Sequence, residues 1–143
     1  MSTSSTSGCV LALDVGGKRI GVAKASLTAR LPAPHGVIDG GDEAIGSIKA
    51  IIGETGAVAV VVGLPRGLEG QETQQTHVVR QFANALAGQI TLPLYFQDEA
   101  VTSKQAEQEL MSRGKPYQKG DIDALAATII LEDFLQEHPE LQS

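Results

Sequence analysis

The sequence holds no tryptophan, a single cysteine and few aromatic residues of any kind, 3% of its 143 positions. One thiol, Cys9, closes no internal disulfide and builds no cysteine-based zinc site, which fits a reducing, cytoplasmic setting. So few aromatics leave little surface for stacking unpaired bases. No apolar run approaches the roughly 18 residues that span a bilayer, so no membrane partner is expected. The opening Met1 to Gly8 is a Ser/Thr tail without the basic and apolar regions of a secretory leader. Positive charge is scarce too, with 11 Lys and Arg against 17 Asp and Glu for a net charge of −6. That excludes a protein that coats nucleic acid by bulk charge.

The charge is nevertheless segregated. Lys18, Arg19, Lys24 and Arg30 outnumber Asp14 before Gly36, while the chain from Gly120 onward carries only acids. Divalent cations held by acids would offset part of the deficit. With 42% hydrophobic residues and a mean hydropathy of 0.00, the chain is expected to fold as one domain over residues 9–137. Residues 1–8 and 138–143 are expected to form a disordered tail and a frayed end.

Val10–Val15 and Ile20–Ala25 are short apolar stretches separated by Gly16-Gly17-Lys18-Arg19, a hairpin pattern. Gly36–Ile38 adds a third short strand, and Ala44, Ile45, Ile48, Ile51 and Ile52 recur at helical spacing. The continuous run Ala57–Val62 reads as a central strand stopping at Gly63-Leu64-Pro65. Val78, Val79, Phe82, Ala85 and Leu86 mark a second helix, and Thr91–Phe96 a fifth strand. Thr102 with Gln105 matches a capping box opening a third helix that ends near Gly114. A last helix starts at Lys119–Asp121 and turns Ile122, Leu125, Ala126, Ile129, Ile130 and Phe134 toward the core. An antiparallel hairpin region followed by helical crossovers predicts an α/β domain, a mixed five-stranded sheet flanked by helices.

Three placements of acid stand out. Asp14 interrupts an apolar strand, where an unpaired carboxylate costs several kcal/mol; capping the Gly16-Gly17 turn is the plainer alternative. Asp98-Glu99 follows the fifth strand, where acids would also favour the next helix N-terminus. Asp121 and Asp123 open the last helix, and Asp123 borders its apolar stripe. Carboxylates converging from two strands and a helix would repel one another unless Mg²⁺ or Mn²⁺ held them. Such oxygen-rich sites suit phosphodiester hydrolysis. The three histidines, His35, His77 and His138, offer no pair at metal-ligand spacing.

Asp14-Val15-Gly16-Gly17-Lys18-Arg19-Ile20-Gly21-Val22-Ala23 resembles the opening motif of the YqgF/RuvX family, whose members are described as pre-16S rRNA nucleases or Holliday-junction resolvases. Three later blocks agree in order and spacing. They are Val61-Val62-Gly63-Leu64-Pro65 with Gly70, Asp98-Glu99 with Thr102 and Ser103, and Lys119-Gly120-Asp121-Ile122-Asp123-Ala124-Leu125-Ala126-Ala127. The resemblance implies an RNase H-like fold and a metal-dependent nuclease that matures the 5′ end of small-subunit rRNA. It assigns Asp14, Glu99 and Asp123 to an acidic triad that binds Mg²⁺ or Mn²⁺. Asp98 becomes a neighbouring, supporting acid alongside Thr102, and Lys18, Arg19 and Lys119 become phosphate contacts. The family's arginine after the acidic pair is Ala100 here, and Arg66, in the loop after Pro65, would return that charge from another direction.

The expected partners are precursor rRNA or branched DNA, with the small ribosomal subunit and a monomer or homodimer as assembly states. A junction resolvase acting on branched DNA is one alternative. A non-catalytic nucleic-acid or ribosome-binding module is another, although a binder of polyanions gains nothing from carboxylates facing phosphates. An actin-like or sugar-kinase ATPase, suggested by the Asp-x-Gly turn and the glycines around the hairpin, needs two such domains and a second phosphate motif, and fails on chain length.

Overall fold

The structure, a computed structural model, describes residues 8–67, 69–99, 108, 111–114 and 119–141. Five strands are seen, β1 (Cys9–Val15), β2 (Arg19–Ser26), β3 (Ala33–Asp39), β4 (Ala57–Pro65) and β5 (Leu94–Glu99). Among the described residues, the helices with both ends defined are α1 (Ala44–Thr55), α2 (Gln74–Ala87) and α3 (Lys119–Glu137). The sheet has the order β3-β2-β1-β4-β5, antiparallel across its first three strands and parallel across β1, β4 and β5. This is the mixed sheet the sequence predicts. The helix expected over residues 102–114, including Thr102, falls largely outside the described residues. No helix among the described residues is long and apolar enough to cross a membrane.

Strand alternation divides the core into two layers. Leu11, Leu13, Val22, Val60, Val62 and Leu64 pack under Ile48 and Ile51 of α1 and Val79, Ala83 and Leu86 of α2. Val10, Ala12, Ala23, Ala25, Ala59 and Val61 meet Ala127, Ile130, Leu131 and Phe134 of α3 on the other face. Of the residues expected to point coreward, Leu125 and Ala126 instead gather with Ile122 and Ile129 in a separate cluster on another side of α3. The helix is therefore apolar on more than one side, as suits a helix buried on more than its sheet face.

Three strands differ from expectation in their boundaries, and β3, expected over Gly36–Ile38, spans Ala33–Asp39. β4 runs through Gly63 to Pro65, because Gly63, Leu64 and Pro65 pair with Gln97, Asp98 and Glu99. β5 accordingly lies three residues later than the apolar run suggested and carries both acids within the strand, not beyond it. A polar strand end of this kind reads as loop in sequence because its partner is remote. A capping box does form, but on α2: the Thr73 hydroxyl accepts from the Thr76 N–H at 3.3 Å and the Thr76 hydroxyl from the Thr73 N–H at 2.9 Å. Thr76 Oγ1 also donates to the Pro65 carbonyl at 2.5 Å, tying α2 to the end of β4.

The segment 138–141, expected to fray, is held at the end of α3. Arg30 donates to the carbonyls of Leu135 at 2.6 Å, His138 at 3.2 Å and Leu141, satisfying acceptors that a helix terminus leaves open. His138 stacks on Phe134 with ring centroids 4.3 Å apart.

Candidate active site

The hairpin sets the first acid. Gly16 donates its N–H to the Arg19 carbonyl at 2.9 Å, closing the turn of Gly16, Gly17 and Lys18 between β1 and β2. In the resulting register Asp14 stands opposite Gly21. Alternation then carries Val10, Ala12 and Asp14 to the α3 face, where the apolar row ends in a carboxylate. On β2 the same face receives Arg19, Gly21, Ala23 and Ala25.

Gly21 is what lets the helix descend onto this carboxylate. A Cβ there would lie 1.9 Å from the Asp123 carbonyl oxygen, a distance that backbone cannot accommodate. Two strands over, on β4, Gly63 makes room for a side chain of the helix, since a Cβ there would come within 2.3 Å of Ile130 Cδ1. The two glycines form a trough for α3. The glycine signal was present in the sequence, but its meaning depends on which helix crosses it.

Asp123 continues the stripe of Ala127, Ile130 and Phe134 that faces the sheet, at helical spacings of four, seven and eleven residues. It therefore enters the same space as Asp14, while Asp121 remains exposed. Arg19 Nε donates to Asp123 Oδ2 at 2.5 Å. Burial, and secondly the charge of Asp123, push the Asp14 carboxyl up to about 6. A shielded acid facing a second acid costs free energy to ionise, and a cation is the simplest way to offset it.

Glu99 reaches the same face. On β5, Tyr95 packs with the α3 core, and Gln97 donates to Glu137 of α3 at 3.0 Å. Glu99, half-buried, is the next residue in that alternation, at the end of the parallel strands where β4 pairs Pro65 with it. Asp14 and Asp123 are thus in electrostatic contact, and Glu99 shares their face and sheet edge from two strands away. Among the described residues, however, no three His, Cys, Asp or Glu side chains are gathered into a metal-ready group.

Asp98 belongs to the opposite face. Arg66 Nε donates to Asp98 Oδ1 and Arg66 donates to Glu72 Oε2, both at 3.2 Å, while Arg80 of α2 reaches the same Glu72 oxygen at 2.8 Å. Hydrogen bonding and charge from Arg80, with the charge of Arg66, hold the Glu72 carboxyl below its ordinary value. The Arg80 guanidinium lies 5.6 Å from the centre of the Phe96 ring. Arg66 is therefore engaged with acids on the α2 side, where it fastens the loop after β4 to β5. This network was missed in the sequence because its members are brought together only by the β4–β5 register. Lys18 is exposed in the hairpin turn, and Lys119 marks the start of α3.

An antiparallel three-stranded unit extended by two parallel strands, with acids at the shared edge, defines the RNase H-like fold. Two solved structures share it at the level of fold: Thermus thermophilus RuvC, with a TM-score of 0.52, 19% identity and coverage of 92% of this chain and 96% of that one, and T. thermophilus RuvC in complex with Holliday junction substrate, with a TM-score of 0.50, 19% identity and coverage of 90% and 95%. The chain belongs to the RuvX family, whose model, described as "RuvX: Holliday junction resolvase", matches residues 8–137. A relative from Chloroflexus aurantiacus, named "Putative pre-16S rRNA nuclease", is 43% identical over 130 residues, covering 88% of this chain and 85% of its own. One of the same name from Thiobacillus denitrificans is 38% identical over 138 residues, covering 94% and 95%.

Proposed function

We propose that this protein is a divalent-cation-dependent nuclease that hydrolyses phosphodiester bonds in precursor 16S rRNA, at the 5′ end of the mature sequence. Membership of the RuvX family and the names of its relatives support nuclease activity and the rRNA substrate. The observation that carries the catalytic reading is the shielded Asp14 carboxyl facing Asp123. An apolar pair would serve packing better at that position, so the two acids answer to a ligand.

Asp14 and Asp123, facing each other, suit a hard cation, which prefers carboxylate oxygens and is often held by two carboxylates with water. Asp14 and Asp123 would hold Mg²⁺ or Mn²⁺, with Glu99 completing the set from the end of β5. The bound cation would supply a more acidic water and neutralise charge developing on the phosphate. Lys18 on the turn and Arg19 at the start of β2, beside Asp14, hold the nucleic-acid backbone, and Lys119, at the start of α3, is assigned to the same task by the family resemblance. Thr102 and Asp98 are supporting residues, Asp98 by anchoring the Arg66 loop. Recognition then rests on backbone and shape, in keeping with the scarcity of aromatics.

A second reading, resolution of branched DNA, is favoured by the description of the family model. Labelled precursor rRNA and a four-way DNA junction, incubated side by side with Mn²⁺, Mg²⁺ or EDTA, decide between the two. Metal-dependent cutting of the rRNA that disappears in Asp14→Asn supports the proposal. Preferential cutting of the junction replaces it with the second reading, and binding without cutting by the wild type leaves a binding module.

A further inference from the structure

We infer that Arg19 is the resident counter-ion of the acidic site: it holds Asp123 until a divalent cation takes that carboxylate, and the released guanidinium then turns to the phosphates of the substrate. The inference rests on the nuclease reading above and adds an order of events to it. Arg19 Nε and Asp123 Oδ2 are 2.5 Å apart, so the arginine already holds a carboxylate that a cation would use. A guanidinium and a metal ion on the same carboxylate repel each other and draw on the same negative charge, so each weakens the other's hold on Asp123.

The two partners are not equally able to move. The Asp123 side chain is 16% exposed and that of Arg19 is 37% exposed. The backbone of Asp123 is wedged over Gly21, where no side chain fits, and its helix is committed to the sheet through Ala127, Ile130 and Phe134. Arg19 is the first residue of β2, next to an exposed turn. In an exchange, Asp123 stays and Arg19 swings outward, toward the side from which a polyanion approaches. Lys18 is exposed beside it, so the released cation joins a second one.

Charge decides the direction of exchange. Asp14 and Asp123, when both are ionised, carry more negative charge than one arginine cancels, and a divalent ion competes for them with twice the charge. Without the ion, Arg19 limits the repulsion at Asp123 and keeps α3 docked. With it, Arg19 is surplus at the acids and available to phosphate. Cation and substrate therefore reinforce one another's binding, as linkage requires of ligands that favour the same state.

The test uses the full chain and Mn²⁺ alone, titrated by calorimetry at pH 8, with melting curves in EDTA. Arg19→Gln is expected to bind Mn²⁺ about 5-fold more tightly than wild type and to melt earlier in EDTA, since a partly shielded charge-assisted pair is lost. A folded Arg19→Gln that binds Mn²⁺ equally or more weakly overturns the inference. If that variant does not fold, Arg19→Lys carries the test, with about 2-fold tighter binding expected because the ammonium lacks the fork geometry of the guanidinium; equal or weaker binding overturns it. Asp14→Asn separates the two levels. Loss of Mn²⁺ binding in Asp14→Asn, with Arg19→Gln and Arg19→Lys like wild type, removes only the role of Arg19. If wild type and Asp14→Asn bind Mn²⁺ alike, the acids do not hold the cation, and the reading and the inference fall together.

Discussion

On β1, Leu11, Leu13 and Val15 point to the face covered by α1 and α2, while Val10, Ala12 and Asp14 point to the face covered by α3. The first face is filled mainly by Leu, Ile and Val and is closed by side-chain packing. The second is built from Ala12, Ala23, Ala25 and Ala59 with Gly21 and Gly63, so that a helix backbone descends close to the sheet. Close approach is what shields Asp14 and brings Asp123 over it. Small residues on one face thus serve the site, and large residues on the other hold the fold.

The largest expected effect comes from filling the trough. Gly21→Ala drives a methyl into the Asp123 backbone and is expected to cost about 3 kcal/mol or more, because the obstacle is main chain and cannot rotate away. Gly17→Ala, four residues earlier in the exposed turn with nothing within 4 Å of its Cβ, is the matched control and is expected to change stability by under about 0.5 kcal/mol. Urea denaturation of both variants checks the contrast. Equal losses would mean that the turn, not the trough, governs docking of α3.

Asp14→Asn is expected to lose cleavage and gain stability. The folded carboxyl is raised to about 6, above its unfolded value, so its favourable contribution is present at low pH and is lost as pH rises through about 6. In EDTA at pH 8 the variant should exceed wild type by about 2 kcal/mol, a gap that closes toward pH 4. Melting curves across that range provide the measurement. A gain at every pH would assign the effect to packing, and a loss at pH 8 would contradict the cost of ionising Asp14.

The neighbours Asp98 and Glu99 sharpen the comparison, since adjacent residues on one strand face opposite ways. Glu99→Gln is expected to reduce cleavage to background, whereas Asp98→Asn should keep it within about 3-fold, because it loosens only an exposed ion pair with Arg66. Single-turnover assays of the two variants decide it. The smallest effect is expected far from the site, where Arg30→Ala removes three carbonyl partners at the end of α3 and should cost about 1 kcal/mol without altering cleavage.

Much of this was legible in the chain itself. The hairpin around Gly16-Gly17, the central Val/Ala strand, the amphipathic helices and the unusual position of Asp14 all follow from local periodicity and turn chemistry. The four motif blocks pointed to the RNase H-like fold, which the sheet order and the likeness to RuvC bear out. The end of β5 was not legible, because Gln97, Asp98 and Glu99 are strand only by virtue of pairing with Gly63, Leu64 and Pro65. The ion pairs of Arg66 with Asp98 and of Arg19 with Asp123 join residues 32 and 104 positions apart, beyond any local pattern.

The order of strands and helices, the apolar faces and the presence of acids out of place were determined by the sequence, since each depends on residues a few positions apart. Which acids meet was decided by the tertiary structure. Pairing with β4 made Asp98 and Glu99 part of a strand, so that alternation put them on opposite faces, and the absent side chain at Gly21 set how near the α3 backbone could lie. That distance decides whether Asp14 is merely a polar residue at a strand end or a partly shielded carboxylate beside Asp123, because the free energy of a charge depends on everything packed around it.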